Sequence, residues 1–149
     1  MYINAEDYLR DIERLKKNID NKRCMLKAIK EETTVSGISY DIDRIKRAPK
    51  RDRLEEQILD SIERRKQLQV KIESELNEMF IQQDEAVRYI SMIESRDQQE
   101  VLMLRYIEGK QWTEIMELRG CDDLSGQYKL HKRAVASLQK IFNVYSMSI

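Results

Sequence analysis

A short segment near the carboxyl end carries the side chains of this chain that are best suited to bind a polyanion. It combines hydroxyl, amide, phenol, imidazole and cationic groups, at Ser125, Gln127, Tyr128, Lys129, His131, Lys132 and Arg133. Lysine and arginine bind phosphate oxygens or guanine, and a glutamine amide can make two hydrogen bonds to adenine. We therefore predict that this segment contacts double-stranded DNA, with Gln127 and Tyr128 nearest the base edges.

Three helices separated by two short breaks are predicted around this segment, between Ser95 and Ile141. The first covers residues 97–107, where apolar side chains recur every three or four residues, and Gly109 can close it in the left-handed conformation. The second covers residues 113–119, with Thr113 as the expected N-cap and Gly120 at its end. The third begins between residues 122 and 125 and reaches about residue 141.

A short helix, a turn that contains glycine and a longer helix form the plan of a helix-turn-helix. In that motif the second helix enters the major groove of DNA. Ile115, Leu118 and Leu124 supply its apolar positions, and Trp112 covers its start. Small helical domains that do not bind DNA also contain such an angle, so the pattern leaves that alternative open.

The sequence VLMLRYIEGKQWTEIMELRG, followed by LHKRAVASLQKI, resembles region 4 of sigma-70-type factors. Together with the upstream segment APKRDRLEEQILDSIE, it makes the chain similar to the small phage-encoded late transcription regulators of Gram-positive bacteria, which have a helix-turn-helix like that of sigma region 4. This resemblance implies a sequence-specific DNA-binding protein that activates phage late or packaging genes. It also implies contact with host RNA polymerase, in the cytoplasm of the bacterial host.

One stretch departs from the pattern of that family. Between the turn and His131 the chain is one residue longer than expected and begins with the acidic pair Asp122 and Asp123. Carboxylates repel phosphates, although aspartate is also a good helix cap. Gly126 weakens a helix or allows the backbone to approach DNA closely. The alternative function is therefore a non-catalytic helical adaptor or decoy that has a sigma-like fold and little DNA affinity.

The overall composition gives no support to nucleic-acid binding. The chain has 149 residues, of which 27 are Lys or Arg and 27 are Asp or Glu, so its formal net charge is zero. Charged residues make up 36%, and only one proline and four glycines interrupt the sequence, which is typical of long exposed helices. DNA binding would therefore depend on a local excess of basic residues.

Two long helices are predicted before the helix-turn-helix. The first covers residues 4–31, where Asn4 can act as the N-cap. The second runs from residue 51 to about residue 82, or onward to residue 94, and residues 32–50 join the two. The first has a nearly complete heptad seam of apolar residues: Tyr8, Ile12, Leu15, Ile19, Leu26 and Ile29. We predict an all-α fold with two domains. Residues 1–82 form a long antiparallel, coiled-coil-like α-hairpin, and residues 83–149 form a four-helix unit that contains the helix-turn-helix. The same seam could instead join copies of the chain into a homo-oligomer.

The joining segment contains the densest basic patch of the chain. Over residues 44–53 there are six basic residues and one acidic residue. Secondary phosphate contacts are predicted at Arg44, Lys46, Arg47, Lys50 and Arg51, because each such contact adds to the salt dependence of binding. The other interpretation is a solvated linker whose charges have no specific role.

No arrangement of residues in the sequence is typical of catalysis or of cofactor binding. The single histidine has no partnered serine or cysteine signature, and there is no glycine-rich phosphate loop. Cys24 and Cys121 are far apart and lack metal-site spacing. No apolar run approaches the length of a membrane span, and no signal peptide is recognisable. We therefore expect a cytoplasmic protein that is not an enzyme and needs no metal or cofactor.

Overall fold

The described residues of this protein are almost entirely helical. The structure, a computed structural model, describes residues 4–35 and 53–147. Its helices are α1 (Ala5–Val35), α2 (Arg53–Ser91), α3 (Arg96–Leu102), α4 (Trp112–Leu118) and α5 (Leu124–Met147), and a π-helical segment, Met103–Ile107, continues α3. No strand occurs in these ranges, so the predicted all-α class is confirmed. No helix in these ranges combines the length and apolarity needed to cross a membrane.

The chain divides into two compact units. The first contains the described residues of Met1–Ile19 and Met79–Ile149, and the second contains those of Asp20–Glu78. α1 and α2 each contribute residues to both units. The predicted division into a hairpin at 1–82 and a domain at 83–149 stays a prediction.

The two long helices end later than the shorter extents that the sequence pattern indicates. α1 continues to Val35 rather than ending at residue 31, because the β-branched residues Thr33 and Thr34 each disfavour a helix only slightly. α2 continues to Ser91, past residue 82 and close to the longer predicted end at residue 94. The polar residues near 82–84 contain no glycine or proline, and Ala86 and Ile90 continue the buried face beyond them.

Several predicted helix ends are confirmed by their hydrogen bonds and dihedral angles. The Asn4 side chain caps α1 by accepting a 2.8 Å hydrogen bond from the backbone N–H of Glu6. Gly109 and Gly120 have φ angles of 70° and 66°, the left-handed conformation that glycine adopts without steric cost. At Gly120 the N–H groups of residues 120 and 121 bond to the carbonyls of Glu117 and Met116, which is a Schellman motif.

The predicted N-cap of α4 is wrong. The helix begins at Trp112, one residue before the predicted start, and its N-cap is Gln111, whose side chain makes no capping hydrogen bond. Thr113 is thus already inside the helix. α5 begins at Leu124, within the predicted interval, but it continues to Met147 instead of ending near residue 141. Phe142 is buried four residues after Leu138, so the apolar stripe of α5 extends past the predicted end.

The hydrophobic core of the first unit receives side chains from every helix. They are Ala5, Tyr8, Leu9, Ile12, Leu15, Ile19, Ala86, Ile90, Ile93, Val101, Leu102, Tyr106, Ile115, Ala134, Leu138 and Phe142. α3 packs mainly against α5, and the Ser137 hydroxyl donates a 2.6 Å hydrogen bond to the Gln98 amide oxygen across that contact. Two residues further along α5, the Gln139 amide oxygen accepts a 2.7 Å hydrogen bond from the backbone N–H of Ala5.

Few apolar side chains are buried among the described residues of the second unit. Ile72 and Leu76 are the buried hydrophobic side chains there, whereas Leu54, at the start of α2, is 63% exposed. Leu26 and Ile29 of the predicted heptad seam are only half-buried. An ion pair between Lys22 and Glu75 joins its two helical segments, and the hydrogen bond from Lys22 holds the pKa of Glu75 below its ordinary value.

The two glycines beside the start of α5 provide a matched test of the turn. Gly120→Ala is expected to lower the free energy of unfolding by about 1–2 kcal/mol, because an alanine at positive φ is strained. No atom lies within 4 Å of the added Cβ, so that strain is the whole effect. Gly126→Ala is expected to raise the free energy of unfolding by up to about 1 kcal/mol, because Gly126 is helical. Its added Cβ meets only Asp123 Oδ2, at 3.6 Å.

Urea unfolding monitored by circular dichroism measures both variants. Equal stability of the two variants would contradict this account of the turn.

Candidate functional site

α5 carries a strongly asymmetric set of charges. Its sequence contains four basic residues and no acidic residue, and all four basic side chains are exposed. With 3.6 residues per turn they fall on one stripe of the helix together with Ser125 and Tyr128. We call this stripe the basic face: Ser125, Tyr128, Lys129, Lys132, Arg133 and Lys140. Among the described residues, none pairs with any of the four cations.

The structure brings most of the predicted DNA-contacting residues onto this one surface. Ser125, Tyr128, Lys129, Lys132 and Arg133 are all exposed, and Tyr128 is 48% exposed in spite of its ring contact with Trp112. The predicted secondary phosphate contacts, Arg44, Lys46, Arg47, Lys50 and Arg51, lie outside the described residues. Their part in any interface stays a prediction.

Gln127 does not lie where the prediction requires it. Its side chain is only 4% exposed, and its amide oxygen is buried without a hydrogen-bond partner among the described residues. Gln127 precedes Ala134 by seven residues and Leu138 by eleven, so helical spacing puts it on the buried stripe of α5. It therefore cannot reach a base edge in this conformation.

Lys140 belongs to the basic face although the sequence reasoning did not single it out. It follows Lys129 by eleven residues and Arg133 by seven, which are spacings that keep side chains on one side of a helix. The signal in the sequence was the absence of any acidic residue from 124 to 147, together with the same helical period.

His131 lies at the edge of the basic face and has a structural partner. Its Nε2 is 2.7 Å from the hydroxyl oxygen of buried Tyr106, and the two rings are stacked. Its ring also meets the edge of Trp112 at a centroid distance of 5.0 Å. The hydrogen bond occupies one imidazole nitrogen and joins α5 to the π-helical segment, so the predicted contact of His131 with phosphate would have to use Nδ1.

The π-helical segment directs two side chains toward this cluster. Glu108 donates its N–H to the carbonyl of Met103, five residues earlier, at 2.9 Å, which widens the turn. The Arg105 guanidinium lies 5.3 Å from the centroid of the Trp112 ring, within cation–π range. Its Nη2 is also 3.5 Å from Glu13 Oε1. Trp112 is thus held between Arg105 on one side and α5 on the other.

Arg119 fixes the turn between α4 and α5. Its Nη1 donates to Glu100 Oε2 at 2.7 Å, and its Nη2 donates to Asp97 Oδ1 at 3.1 Å. The Arg119 side chain is only 9% exposed, whereas both carboxylates are largely exposed. Arg119 therefore braces the turn against α3 and is not part of the basic face.

The two aspartates at the start of α5 differ in their roles. Asp123 Oδ1 accepts a 2.9 Å hydrogen bond from the backbone N–H of Ser125, which caps the helix as the residue type predicts. Asp122 is also exposed, and for its side chain the described structure shows no hydrogen bond or ion pair. Both carboxylates thus lie at the amino-terminal end of the basic face.

Burial shifts the titration of both members of the Tyr106–His131 pair. It lowers the pKa of His131 from 6.5, with a smaller contribution in the same direction from the positive charge of Arg105 and an opposing one from Glu6. It raises the pKa of the Tyr106 hydroxyl. Both shifts favour the neutral forms, so the pair acts at neutral pH as an uncharged connection between α5 and the π-helical segment. In the described ranges, no three His, Cys, Asp or Glu side chains are grouped closely enough to hold a metal ion.

Comparison with known proteins adds no relative. No family model matches the chain, and neither curated proteins nor solved structures gave a significant match.

The pKa of His131 makes stability depend on pH in a defined direction. The pKa of His131 is lower in the folded protein than its ordinary value of 6.5. At pH values between these two pKa values, the unfolded chain binds a proton at His131 more readily than the folded chain does. The contribution of the neutral imidazole is therefore complete above pH 6.5 and is lost as the pH falls through the folded pKa. Thermal unfolding of the wild type and of His131→Gln, measured between about pH 7.5 and 5.5, is expected to show a flatter profile for the variant. Identical profiles would exclude His131 as the cause.

Proposed function

We propose that this protein is a DNA-binding transcription regulator in which α4, the turn and α5 act as a helix-turn-helix. The observation that carries the proposal is the basic face of α5. The chain as a whole has equal numbers of acidic and basic residues, yet α5 has four cations and no acid. Such a local excess is the electrostatic footprint of a nucleic-acid interface.

The cations are arranged so that phosphates can bind at low cost. From Lys129 to Lys140 the basic face extends about 16 Å along the helix axis, which is long enough to meet several phosphates of one duplex. Because these side chains are exposed and have no acidic partner among the described residues, they need not break an ion pair to bind DNA.

Base contacts would come from the first turns of α5. In a helix-turn-helix the amino-terminal residues of the second helix contact the base edges. Ser125, Tyr128 and Lys129 are the exposed candidates there, while Gln127 is buried. We therefore assign most of the binding free energy to phosphate contacts and sequence discrimination to these few residues.

The polar contacts around the turn support this function because they limit the motion of α5. Arg119 holds the turn to α3, and the Tyr106–His131 hydrogen bond holds the middle of α5 to the π-helical segment. A recognition helix fixed at two points loses less conformational freedom when it binds, so more of the contact energy contributes to affinity.

The wider assignment rests on the sequence resemblance alone. It proposes an activator of phage late or packaging genes that contacts host RNA polymerase in the bacterial cytoplasm. The antiparallel hairpin at 1–82 and the four-helix unit at 83–149 belong to the same proposal, as does homo-oligomerisation through the N-terminal helices. The ion pair between Lys22 and Glu75, which joins α1 and α2 within the second unit, supports the pairing of the two long helices.

One alternative has a specific observation in its favour. Asp122 and Asp123 are exposed at the end of α5 where base contacts would form, and the predicted adenine-reading Gln127 is buried. A helical adaptor or decoy that binds another protein and has little DNA affinity would tolerate both features. Salt-sensitive DNA binding distinguishes the two functions, because the regulator requires it and the adaptor does not.

Reversal of two charges on the basic face tests the proposal. Lys132→Glu/Arg133→Glu is expected to abolish binding to a pool of short duplexes, measured by fluorescence anisotropy at two salt concentrations. In a variant that lacks only one of these cations, where binding remains measurable, the negative slope of log affinity against log salt is expected to become less steep by about one. Arg64→Glu/Lys66→Glu is the matched control, because it makes the same charge change at exposed positions of the second unit.

The control is expected to bind like the wild type. Equal loss in both variants would indicate a non-specific charge effect, and no binding by the wild type at low salt would favour the adaptor.

Removal of the two acidic charges should have the opposite effect. Asn caps a helix about as well as Asp, so Asp122→Asn/Asp123→Asn keeps the start of α5 and removes two repulsive charges. The double variant is expected to bind duplex DNA more tightly, by about tenfold at low salt, with an unchanged unfolding midpoint. An unchanged affinity would mean that DNA does not approach the start of α5.

A further inference from the structure

A second exposed surface of the first unit lies on the carboxyl-terminal part of α2. Ile81 and Met92 are 65% and 44% exposed there, which is unusual for large apolar side chains. They line a shallow groove of about 370 Å³ together with Glu85, Arg88, Tyr89 and Tyr145. This surface is separate in sequence from the basic face and from the predicted seam of the N-terminal helices.

Four of the side chains that line this groove form one regular stripe. Ile81, Glu85, Arg88 and Met92 are separated by four, three and four residues, which is the spacing of core positions in a coiled coil. The stripe therefore faces a single direction along about 16 Å of helix. Its order is apolar, acidic, basic, apolar.

The two charges of the stripe have no partner within the described structure. Glu85 and Arg88 are exposed, and neither makes a salt bridge or a side-chain hydrogen bond there. They are three residues apart on one helix, a spacing at which a pair can form, yet they do not pair with each other. Both charges thus remain able to pair with another molecule.

The order of the stripe is complementary to itself when reversed. If two copies pair with α2 antiparallel about a two-fold axis between residues 86 and 87, Ile81 faces Met92 of the second copy. Glu85 then faces Arg88 of the second copy, and the same contacts repeat on the other side of the axis. A parallel arrangement would place Glu85 against Glu85 and Arg88 against Arg88. We propose that the occupant of this groove is a second copy of the chain, bound in the antiparallel arrangement.

The surroundings of the stripe supply further apolar area and rigidity. Tyr89 packs edge-to-face against Phe142 and Tyr145, with centroid distances of 5.1 and 6.0 Å. The patch is small beside the interfaces of obligate dimers, so the dimer is expected to be weak and to form in the micromolar range. This inference does not depend on DNA binding by α5.

Charge exchange provides the test, with sedimentation velocity of the full chain over about 1–200 µM as the measurement. The proposed dimer has two equivalent contacts between position 85 of one copy and position 88 of the other. In Glu85→Arg each contact brings two arginines together, and in Arg88→Glu each brings two glutamates together. Each single variant is expected to weaken the dimer by at least about tenfold. The double variant Glu85→Arg/Arg88→Glu restores complementarity and is expected to dimerise like the wild type. An equimolar mixture of the two single variants is expected to form a heterodimer.

A variant of the second unit serves as the control for other modes of association. Val70 is exposed on α2 outside the groove, so Val70→Lys is expected to leave the dimer unchanged. Circular dichroism verifies that every variant stays folded. A wild type that is monomeric throughout the concentration range would overturn the proposal. So would a dimer that is insensitive to the charge exchange, failure of the double variant to restore association, or loss of the dimer in Val70→Lys alone.

Discussion

Burial of one stripe of α5 determines which side chains of this helix reach the surface of the first unit. Ala134, Leu138 and Phe142, four residues apart, enter the core of the first unit, where α3 packs mainly against α5. Because the helical period is fixed, that burial also decides which side chains of α5 face outward. It turns Lys129, Lys132, Arg133 and Lys140 to the surface and takes Gln127 inside.

The hydrogen bonds and ion pairs around α5 fix which face of this helix is buried. Hydrophobic burial is non-directional and would tolerate a small rotation of the helix. Two hydrogen bonds prevent such a rotation, because each requires a particular register of α5. They join His131 to Tyr106 and Ser137 to Gln98. Arg119 adds a two-pronged ion pair at the turn. Packing therefore provides the stability of this region, and the polar contacts provide its orientation.

The sequence predicted the features that depend on local chemistry. Glycines at positive φ, the cap at Asn4 and the spacing of apolar residues are all determined within a few residues, and they were predicted correctly. One local prediction, the N-cap at Thr113, was wrong. The other differences depend on tertiary packing. Gln127 was expected near the base edges because glutamine is polar by type, while its position on the buried stripe decides its exposure. Three other features were not predicted because they also require contacts that are distant in sequence. They are the widened helical turn at 103–107, the ion pairs of Arg119 and the full length of α5.

DNA binding by the basic face of α5 can be examined by mapping the interface in solution. Backbone amide chemical shifts of the labelled protein would be followed by NMR during titration with a short duplex at low salt. We predict that the largest shifts occur between residues 120 and 140, with the cations of the basic face at their centre, and that they disappear when salt is added. Absence of shifts, or shifts confined to residues 53–78, would contradict the account.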